Sequence, residues 1–166
     1  MAEFSAKRVT RTYIQNVKAP PEQIFPLLCP VRQAEWLDGW EYEMVFSKSG
    51  FAEEGCVFKS RSIGEKDAVW VISKHDAESF IIEFVRVTPQ RWIGKVYMEL
   101  ERRPGFTNVY VTYRFTALNE EGNDFIQGYT EKHFISFMKW WERSINYFLK
   151  YGKKLKKPRP RRTAGQ

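Results

Sequence analysis

Residues 130–151 read TEKHFISFMKWWERSINYFLKY, a stretch without Pro or Gly in which large apolar side chains recur at steps of three and four. That spacing places side chains on one face of a helix. The recurring residues are Phe134, Phe137, Trp141, Ile145 and Phe148. Thr130 predicts the N-cap, and Gly152 predicts an end in the left-handed conformation that Gly adopts cheaply. We therefore predict one long helix, whose aromatic face needs a concave apolar partner.

The chain before this helix alternates apolar and polar residues, as strands with one covered face do. A first predicted strand, residues 8–18, is followed by two short helices that begin at Pro21 and near Pro30. Six more predicted strands lie between turn signals; they are residues 40–46, 56–62, 68–74, 79–87, 91–103 and 107–118. Because their connections are short, successive strands are predicted to pair antiparallel. Residues 119–129 are interpreted as a turn and a connecting stretch.

A long antiparallel sheet with one apolar face has to cover that face, and the helix at 130–151 is the candidate of sufficient length. We predict an α+β fold: a curved antiparallel seven-stranded sheet wrapped around a long C-terminal helix, with two short helices between strands 1 and 2. A chain of 166 residues suits one domain. Residues 1–152 are predicted to form that domain, and residues 153–166 a basic, disordered tail.

The net charge of +7 is located in one segment. Eight basic residues and no acidic one lie within residues 150–162; without them 19 of the 27 basic residues remain against 20 acidic ones. The predicted domain is therefore close to neutral. The basic tail suits weak contact with an anionic membrane or a nucleic acid, while solvation of a charged chain end is the simpler interpretation.

The sequence contains few Cys and His residues that could bind a metal ion and no recognisable signal peptide or membrane-spanning stretch. Cys29 and Cys56 have no metal-ligand or CxxC spacing, so we predict free, mostly buried thiols. The two histidines, His75 and His133, do not complete a zinc site with them, and no cofactor is predicted. His75 lies in a predicted turn. No apolar stretch is long enough to span a membrane and residues 1–13 lack a signal-peptide core, so we predict a cytoplasmic protein.

The order of the predicted elements resembles the helix-grip fold of the START and Bet v 1-like (SRPBCC) superfamily, which includes polyketide cyclases and dehydratases. AlaProProGluGlnIlePhe at 19–25 resembles the entry to that family's first short helix, and GluTrpLeuAspGlyTrp at 35–40 resembles the approach to its second strand. Trp70 and the TrpTrpGluArg of the last helix stand where such chains carry aromatic residues. The resemblance implies an elongated cavity between sheet and helix that holds apolar ligands in many members, without implying one activity.

The leading functional hypothesis is binding of a small hydrophobic ligand, such as a lipid, isoprenoid, polyketide or aromatic metabolite, by a carrier or sensor. Predicted inward phases select the ligand-binding residues Trp70, Phe84, Met98, Tyr113, Phe134, Phe137 and Trp141. Glu83 and Arg86 lie in a strand that is apolar on both faces, so their direction stays open. An inward Arg would hold a carboxylate head group.

Two alternatives remain. One is an enzyme of the cyclase or dehydratase type that uses Tyr113, Glu83 or His133 as acid or base. The other is an interaction module whose cavity is filled by its own side chains and whose basic tail binds the partner. Nucleic-acid platforms interleave exposed aromatic and basic residues, whereas here the aromatic residues are predicted to face inward.

Overall fold

A computed structural model of the protein describes residues 3–61 and 67–159. Its strands, numbered β1 to β7 along the chain, are Arg8–Val17, Glu41–Phe46, Val57–Arg61, Ala68–Asp76, Ile81–Thr88, Trp92–Arg103 and Phe106–Ala117. The helices α1 to α4 are Pro21–Ile24, Pro30–Trp36, Glu120–Gly128 and Glu131–Tyr151, with a 3₁₀ turn at Phe25–Leu28 after α1. The predicted turn at residues 63–67 lies largely outside the described residues, as does residue 62.

The strands form one antiparallel sheet in the order β1-β7-β6-β5-β4-β3-β2. β2 to β7 follow one another as the predicted meander, and β1 pairs with β7 along its whole length, from Arg8 opposite Thr116 to Val17 opposite Thr107. One apolar core runs across the concave face and includes side chains from α1, α2 and α4. The predicted α+β helix-grip architecture is confirmed.

Helix α4 begins and ends where its sequence predicts. The hydroxyl of Thr130 accepts from the N–H of His133 at 3.2 Å, and Gly152 ends the helix at φ 67° with its N–H bonded to the Phe148 carbonyl at 2.8 Å. The buried stripe differs from the predicted one. It consists of Phe134, Met138, Trp141, Ser144 and Ile145.

Phe137 therefore does not belong to the buried stripe of α4, contrary to the sequence interpretation. Its side chain is 36% exposed, whereas the adjacent Met138 is fully buried. Neighbouring residues of a helix lie about 100° apart at 3.6 residues per turn. Phe137 and Met138 both lie three or four residues from Phe134 and from Trp141, so spacing does not distinguish them. Phe137 was chosen for the buried face because it is aromatic.

Residues 119–129 contain helix α3, so the interpretation of this stretch as a turn and a connection is wrong. Asn119 caps the helix through its side-chain oxygen, which accepts from the N–H of Gly122 at 2.9 Å. Gly122 faces the turn between β5 and β6: a Cβ there would lie 1.9 Å from the carbonyl oxygen of Arg91. Gly122 weakens the helix pattern in the sequence, because glycine is a poor helix former. The same residue allows α3 to pack closely in the structure.

Strand β4 extends through His75 and Asp76, which were predicted as a turn. The register between β4 and β5 shifts between Ile72 and Lys74, so that His75 pairs with the fully buried Ile82. A one-residue irregularity exchanges the two faces of a strand. His75 consequently turns to the concave side, where its ring lies 5.1 Å from the ring of Phe25.

The first part of the predicted tail lies against the domain. Residues 153–159, here named the strap, follow α4, and Leu155 forms a parallel bridge with Leu37. The backbone N–H of Lys157 donates to Asp38 Oδ2 at 2.9 Å. This part of the tail therefore differs from the expected disordered chain, because one apolar residue and one carboxylate hold it. Residues 160–166 lie outside the described residues.

Two further sequence predictions concern cysteines and membrane spans. Cys29 and Cys56 are free and buried, as predicted. Within residues 3–61 and 67–159, no helix combines the length and apolar character that crossing a membrane requires. In the same residues, no three His, Cys, Asp or Glu side chains are grouped to hold a metal ion.

Candidate functional site

A cavity of about 290 Å³ lies between the concave face of the sheet and helix α4. Twelve residues line it: Leu37, Asp38, Gly39, Trp40, Ser60, Trp70, Arg86, Tyr113, Phe137, Trp140, Trp141 and Lys157. Half of them are aromatic. Tyr113 and Trp141 are buried, whereas Gly39 and Lys157 are exposed. The cavity therefore has a deep end against β7 and α4 and a mouth at the strap.

The sheet side of the cavity follows from strand register. One row of paired residues crosses five strands and contains, in order, Phe58, Trp70, Arg86, Gly94 and Phe115. We name it the cross-sheet row. Paired residues of neighbouring strands point to the same face of a sheet. Arg86 thus shares the concave face with buried aromatic neighbours, which answers the question that its strand left open.

Gly94 leaves room within the cross-sheet row. A Cβ at Gly94 would lie 2.8 Å from the ring of Phe115 and 3.7 Å from the Cβ of Arg86. The ring of Phe115 therefore occupies the position above Gly94, where any other residue would place its side chain. Arg86 therefore lies between Trp70 on one side and Gly94, covered by the ring of Phe115, on the other.

The wall at β3 and β4 is built from stacked rings. Phe58 and Trp70 stack with centroids 5.6 Å apart and an interplanar angle of 9°, and Trp40 packs edge-on against both rings at 6.3 Å. The indole N–H of Trp70 donates to Ser60 Oγ at 2.8 Å, which orients the ring. The guanidinium carbon of Arg86 lies 5.3 Å from the centroid of Trp70, within cation–π range.

Helix α4 supplies the opposite wall. Trp141 packs edge-on against Trp36 at 5.7 Å and lies 5.5 Å from Phe137. Trp36 in turn donates its indole N–H to the Leu27 carbonyl at 2.8 Å. The first short helices thus support the helix wall from behind. Trp140, one residue earlier on α4, lies closer to the mouth and is half-buried.

Tyr113 brings a hydroxyl to the deep end of the cavity. Burial raises the pKa of this hydroxyl, Tyr129 raises it further, and the positive charge of Arg86 opposes the rise. The group therefore stays protonated at physiological pH. A protonated phenol in an apolar site serves as a hydrogen-bond donor rather than as a base.

Positive charge surrounds the mouth. Lys157 places its ammonium 5.6 Å from the ring of Trp140, and the guanidinium of Arg143 lies 5.5 Å from the same ring. The N–H of Lys157, together with the nearby charge of Lys156, lowers the pKa of Asp38. Asp38 is therefore an ionised carboxylate that is already engaged with the strap, since Lys156 Nζ lies 3.5 Å from Oδ1.

Four of the seven predicted ligand-binding residues line the cavity: Trp70, Tyr113, Phe137 and Trp141. The other three lie in the packed core beside it. Phe84 contacts the rings of Phe58 and Trp70 edge-on, Phe134 lies 5.4 Å from the ring of Tyr113, and Met98 is 2% exposed. These three side chains point into the protein, as predicted. The cavity, however, extends over only part of the apolar face that the sequence predicts.

The acid–base candidates separate in the structure. Tyr113 lines the cavity, whereas Glu83 alternates with the buried Ile82 and Phe84 and so lies on the convex face. There its carboxylate accepts from Ser73 Oγ at 2.9 Å and lies 3.2 Å from Lys95 Nζ. His133 is exposed on the first turn of α4, 5.5 Å from the ring of Tyr129.

Sequence reasoning did not place Trp40, Ser60 and Lys157 at the site. The alternation in β2 and β3 could have indicated Trp40 and Ser60, because each lies at a position that alternates in step with the apolar residues of its predicted strand. Lys157 has no such signal. Its place depends on the contact between Leu155 and Leu37, which joins residues more than a hundred positions apart.

A larger open groove of about 710 Å³ lies along the C-terminal half of α4 and the end of β1. Polar residues of its lining are bonded across it: the backbone N–H of Asn16 donates to the Glu142 carboxylate, and the backbone N–H of Lys18 donates to Asn146 Oδ1 at 2.8 Å. These contacts attach α4 to β1. The groove thus lies over a structural joint, and the cavity is the better candidate for a ligand site.

Solved structures share this architecture at low sequence identity. An uncharacterized protein from Rhizobium leguminosarum matches 88% of this chain and 97% of its own at 15% identity, with a TM-score of 0.62. Norcoclaurine synthase from Thalictrum flavum matches 89% of each chain at 10% identity, with a TM-score of 0.66. Major latex-like protein 151 from Panax ginseng matches 84% of this chain and 95% of its own at 13% identity, with a TM-score of 0.63.

These likenesses show that the chain has the Bet v 1-like helix-grip fold. No family model matches the chain, and no curated protein matches its sequence. Identities of this size describe the shared fold alone. What the cavity binds has to be argued from its own side chains.

Proposed function

We propose that the protein binds a small, mainly apolar ligand in the cavity between α4 and the sheet, as a carrier or sensor. The observation that carries this proposal is the cavity itself: about 290 Å³ lined by six aromatic residues, next to the buried core. Ligand sites are typically apolar clefts of about 300 Å³ or more with a few polar groups. This cavity lies at the small end of that range.

The size and lining of the cavity favour a ligand of one or two rings. Its volume equals that of on the order of ten water molecules at about 30 Å³ each. Burial of about 200 Å² of apolar ligand surface at roughly 25 cal/mol per Å² would contribute on the order of 5 kcal/mol. Part of that energy offsets the translational and rotational freedom that the ligand loses on binding.

The choice between carrier and enzyme rests on the ionisable groups of the cavity. Of the three side chains predicted for acid–base roles, Tyr113 alone lines it, and its raised pKa keeps it protonated. Norcoclaurine synthase has the same fold and is by its name an enzyme, so the fold does not decide the question. Of the three predicted acid–base residues, the cavity thus contains one hydrogen-bond donor and no base, which supports the carrier proposal over the enzyme proposed from those residues.

N-phenyl-1-naphthylamine, an uncharged dye that fluoresces in apolar surroundings, tests the proposal. We expect saturable binding with a stoichiometry of one. Phe137→Ala should weaken binding roughly fivefold or more, about 1 kcal/mol, because an aromatic side chain that lines the cavity is removed.

Phe46→Ala is the matched control, since Phe46 is 56% exposed and does not line the cavity. It should bind the dye as the unsubstituted protein does. Failure of the dye to saturate, or equal weakening in both variants, would count against the proposed site. Circular dichroism of each variant checks that the fold is retained.

The predicted contact of the basic tail with an anionic membrane or a nucleic acid stays a separate prediction. Association with anionic vesicles and with nucleic acid, compared before and after truncation beyond Gly152, tests it directly. An unchanged association would leave the tail without that role.

A further inference from the structure

Charged side chains in the cavity are few and mainly positive. Its lining includes Asp38, Arg86 and Lys157 as the charged residues. Asp38 and Lys157 lie near the mouth, where the carboxylate accepts from the backbone N–H of Lys157 and pairs with Lys156. Arg86 lies in the cross-sheet row, between the aromatic wall and the deep end.

A half-buried arginine on the concave face is partly desolvated, which costs free energy unless a partner or a ligand engages its charge. Its neighbours in the cross-sheet row are Trp70 and Gly94, and the ring of Trp70 lies under the guanidinium. A guanidinium has five N–H donors in a planar fork, so it can serve a ligand oxygen beside any protein partner. The fork geometry matches a carboxylate.

Tyr113 adds a second donor close to the same place. Both Arg86 and Tyr113 line the cavity, and burial of the Tyr113 hydroxyl raises its pKa, with Tyr129 adding to the rise and the charge of Arg86 opposing it. The hydroxyl is protonated there. A charged fork and a phenol that line the same cavity form a suitable receptor for one anionic group.

We propose that the ligand is an aromatic carboxylic acid, bound as its anion, with the carboxylate received by Arg86 and Tyr113 and the ring held between Trp70 and Trp141. This inference rests on the proposed function and specifies the class of ligand. The strap adds positive charge at the mouth through Lys157, which raises the local concentration of an anionic ligand.

The test uses two compounds that differ in charge and little in shape, 2-naphthoate and 2-naphthalenemethanol. Each is titrated against the protein by displacement of N-phenyl-1-naphthylamine. We expect naphthoate to bind roughly tenfold more tightly than the alcohol, as one charge-assisted hydrogen-bond pair provides. Added NaCl should weaken naphthoate binding and leave binding of the alcohol unchanged.

Arg86→Gln should abolish the preference for naphthoate while leaving binding of the alcohol within about twofold, and Tyr113→Phe should reduce that preference in part. The matched control is Arg114→Gln, which removes one positive charge from an exposed position on the convex face. This control should keep the preference. Arg86→Lys, which retains the charge without the fork, should give an intermediate value.

The outcomes separate the two proposals. Equal affinity for both compounds in the unsubstituted protein overturns the carboxylate assignment and keeps the cavity as an apolar site. So does an equal loss of both compounds in Arg86→Gln. If neither compound nor the dye binds, the proposed function fails and the assignment fails with it. The salt dependence needs no variant, so a variant that does not fold leaves the test intact.

Discussion

Arg86 places a positive charge on the concave face of the sheet, beside the ring of Trp70. The strand at residues 79–87 is apolar on both faces, so alternation does not say which way its charged residues point. The register resolves this: Arg86 pairs with Trp70 and faces inward, and Glu83 faces outward to Lys95. The direction of these two side chains depends on how the strand pairs with its neighbours. The sequence of the strand alone does not contain that information.

His75 carries a pH-dependent contribution to stability. Its pKa is lowered because burial disfavours the charged ring, while Asp76 and Glu53 act in the opposite direction. The unfolded chain therefore binds a proton below about pH 6.5 that the folded protein does not bind. The free energy of unfolding should fall as the pH decreases from about 6.5 toward the lower folded-state pKa.

His75→Phe should reduce this loss of stability between about pH 7.5 and 5.5, because a phenyl ring beside Phe25 takes up no proton. Urea unfolding at the two pH values measures the change. His133→Gln is the control, since His133 is exposed on α4, and it should keep the pH dependence of the unsubstituted protein. A pH dependence that survives His75→Phe would contradict the assignment.

At the scale of elements, the strands and α4 were predictable because their periodicity is set by one covered face. Alternation placed β1 to β7 within one or two residues at most ends, and Thr130 and Gly152 marked both ends of α4. Helix α3 was missed because Gly122, Asn123 and Gly128 are poor helix formers. Asn119, followed by two acidic residues, was the available capping signal.

Gly122 is required where α3 packs against the turn that precedes β6. A Cβ at this position would lie 1.9 Å from the Arg91 carbonyl oxygen, and a backbone atom cannot move away as a side chain does. Gly122→Ala should therefore destabilise the protein by about 3 kcal/mol, the upper end for overpacking. The shift of the urea midpoint at constant slope measures this loss.

Gly128→Ala on the same helix is the matched control, because nothing lies within 4 Å of a Cβ there. It should leave stability unchanged or raise it by up to about 1 kcal/mol through helix propensity. If the two substitutions have similar effects, the close approach at Gly122 does not hold α3 in place.

At the scale of the molecule, the strap joins the chain end to the mouth of the cavity. Residues 153–166 are rich in basic residues, and such a run of charge predicts a disordered segment exposed to solvent. The strap differs from this expectation, because Leu155 forms a backbone bridge with Leu37 and Asp38 accepts from the backbone N–H of Lys157. Both contacts are long-range and have no local pattern.

Tryptic cleavage after Lys156 reports how firmly the strap is held. Asp38→Asn removes the charge that engages Lys156 and Lys157, at a cost of about 1 kcal/mol, so the open population and the cleavage rate should rise about fivefold. Asp67→Asn is the control: its carboxylate lies 3.4 Å from Arg61, far from the strap in sequence and contact. Equal cleavage rates in both variants would contradict a docked strap.

The central claim is that the cavity between α4 and the sheet receives an apolar ligand. Nuclear Overhauser effects between bound N-phenyl-1-naphthylamine and the protein test it most directly, because they report protons within about 5 Å, the distance of neighbouring rings in a packed site. We predict effects to the ring protons of Trp70, Phe137 and Trp141. Effects confined to Tyr147 and Tyr151, in the open groove along α4, would contradict the claim.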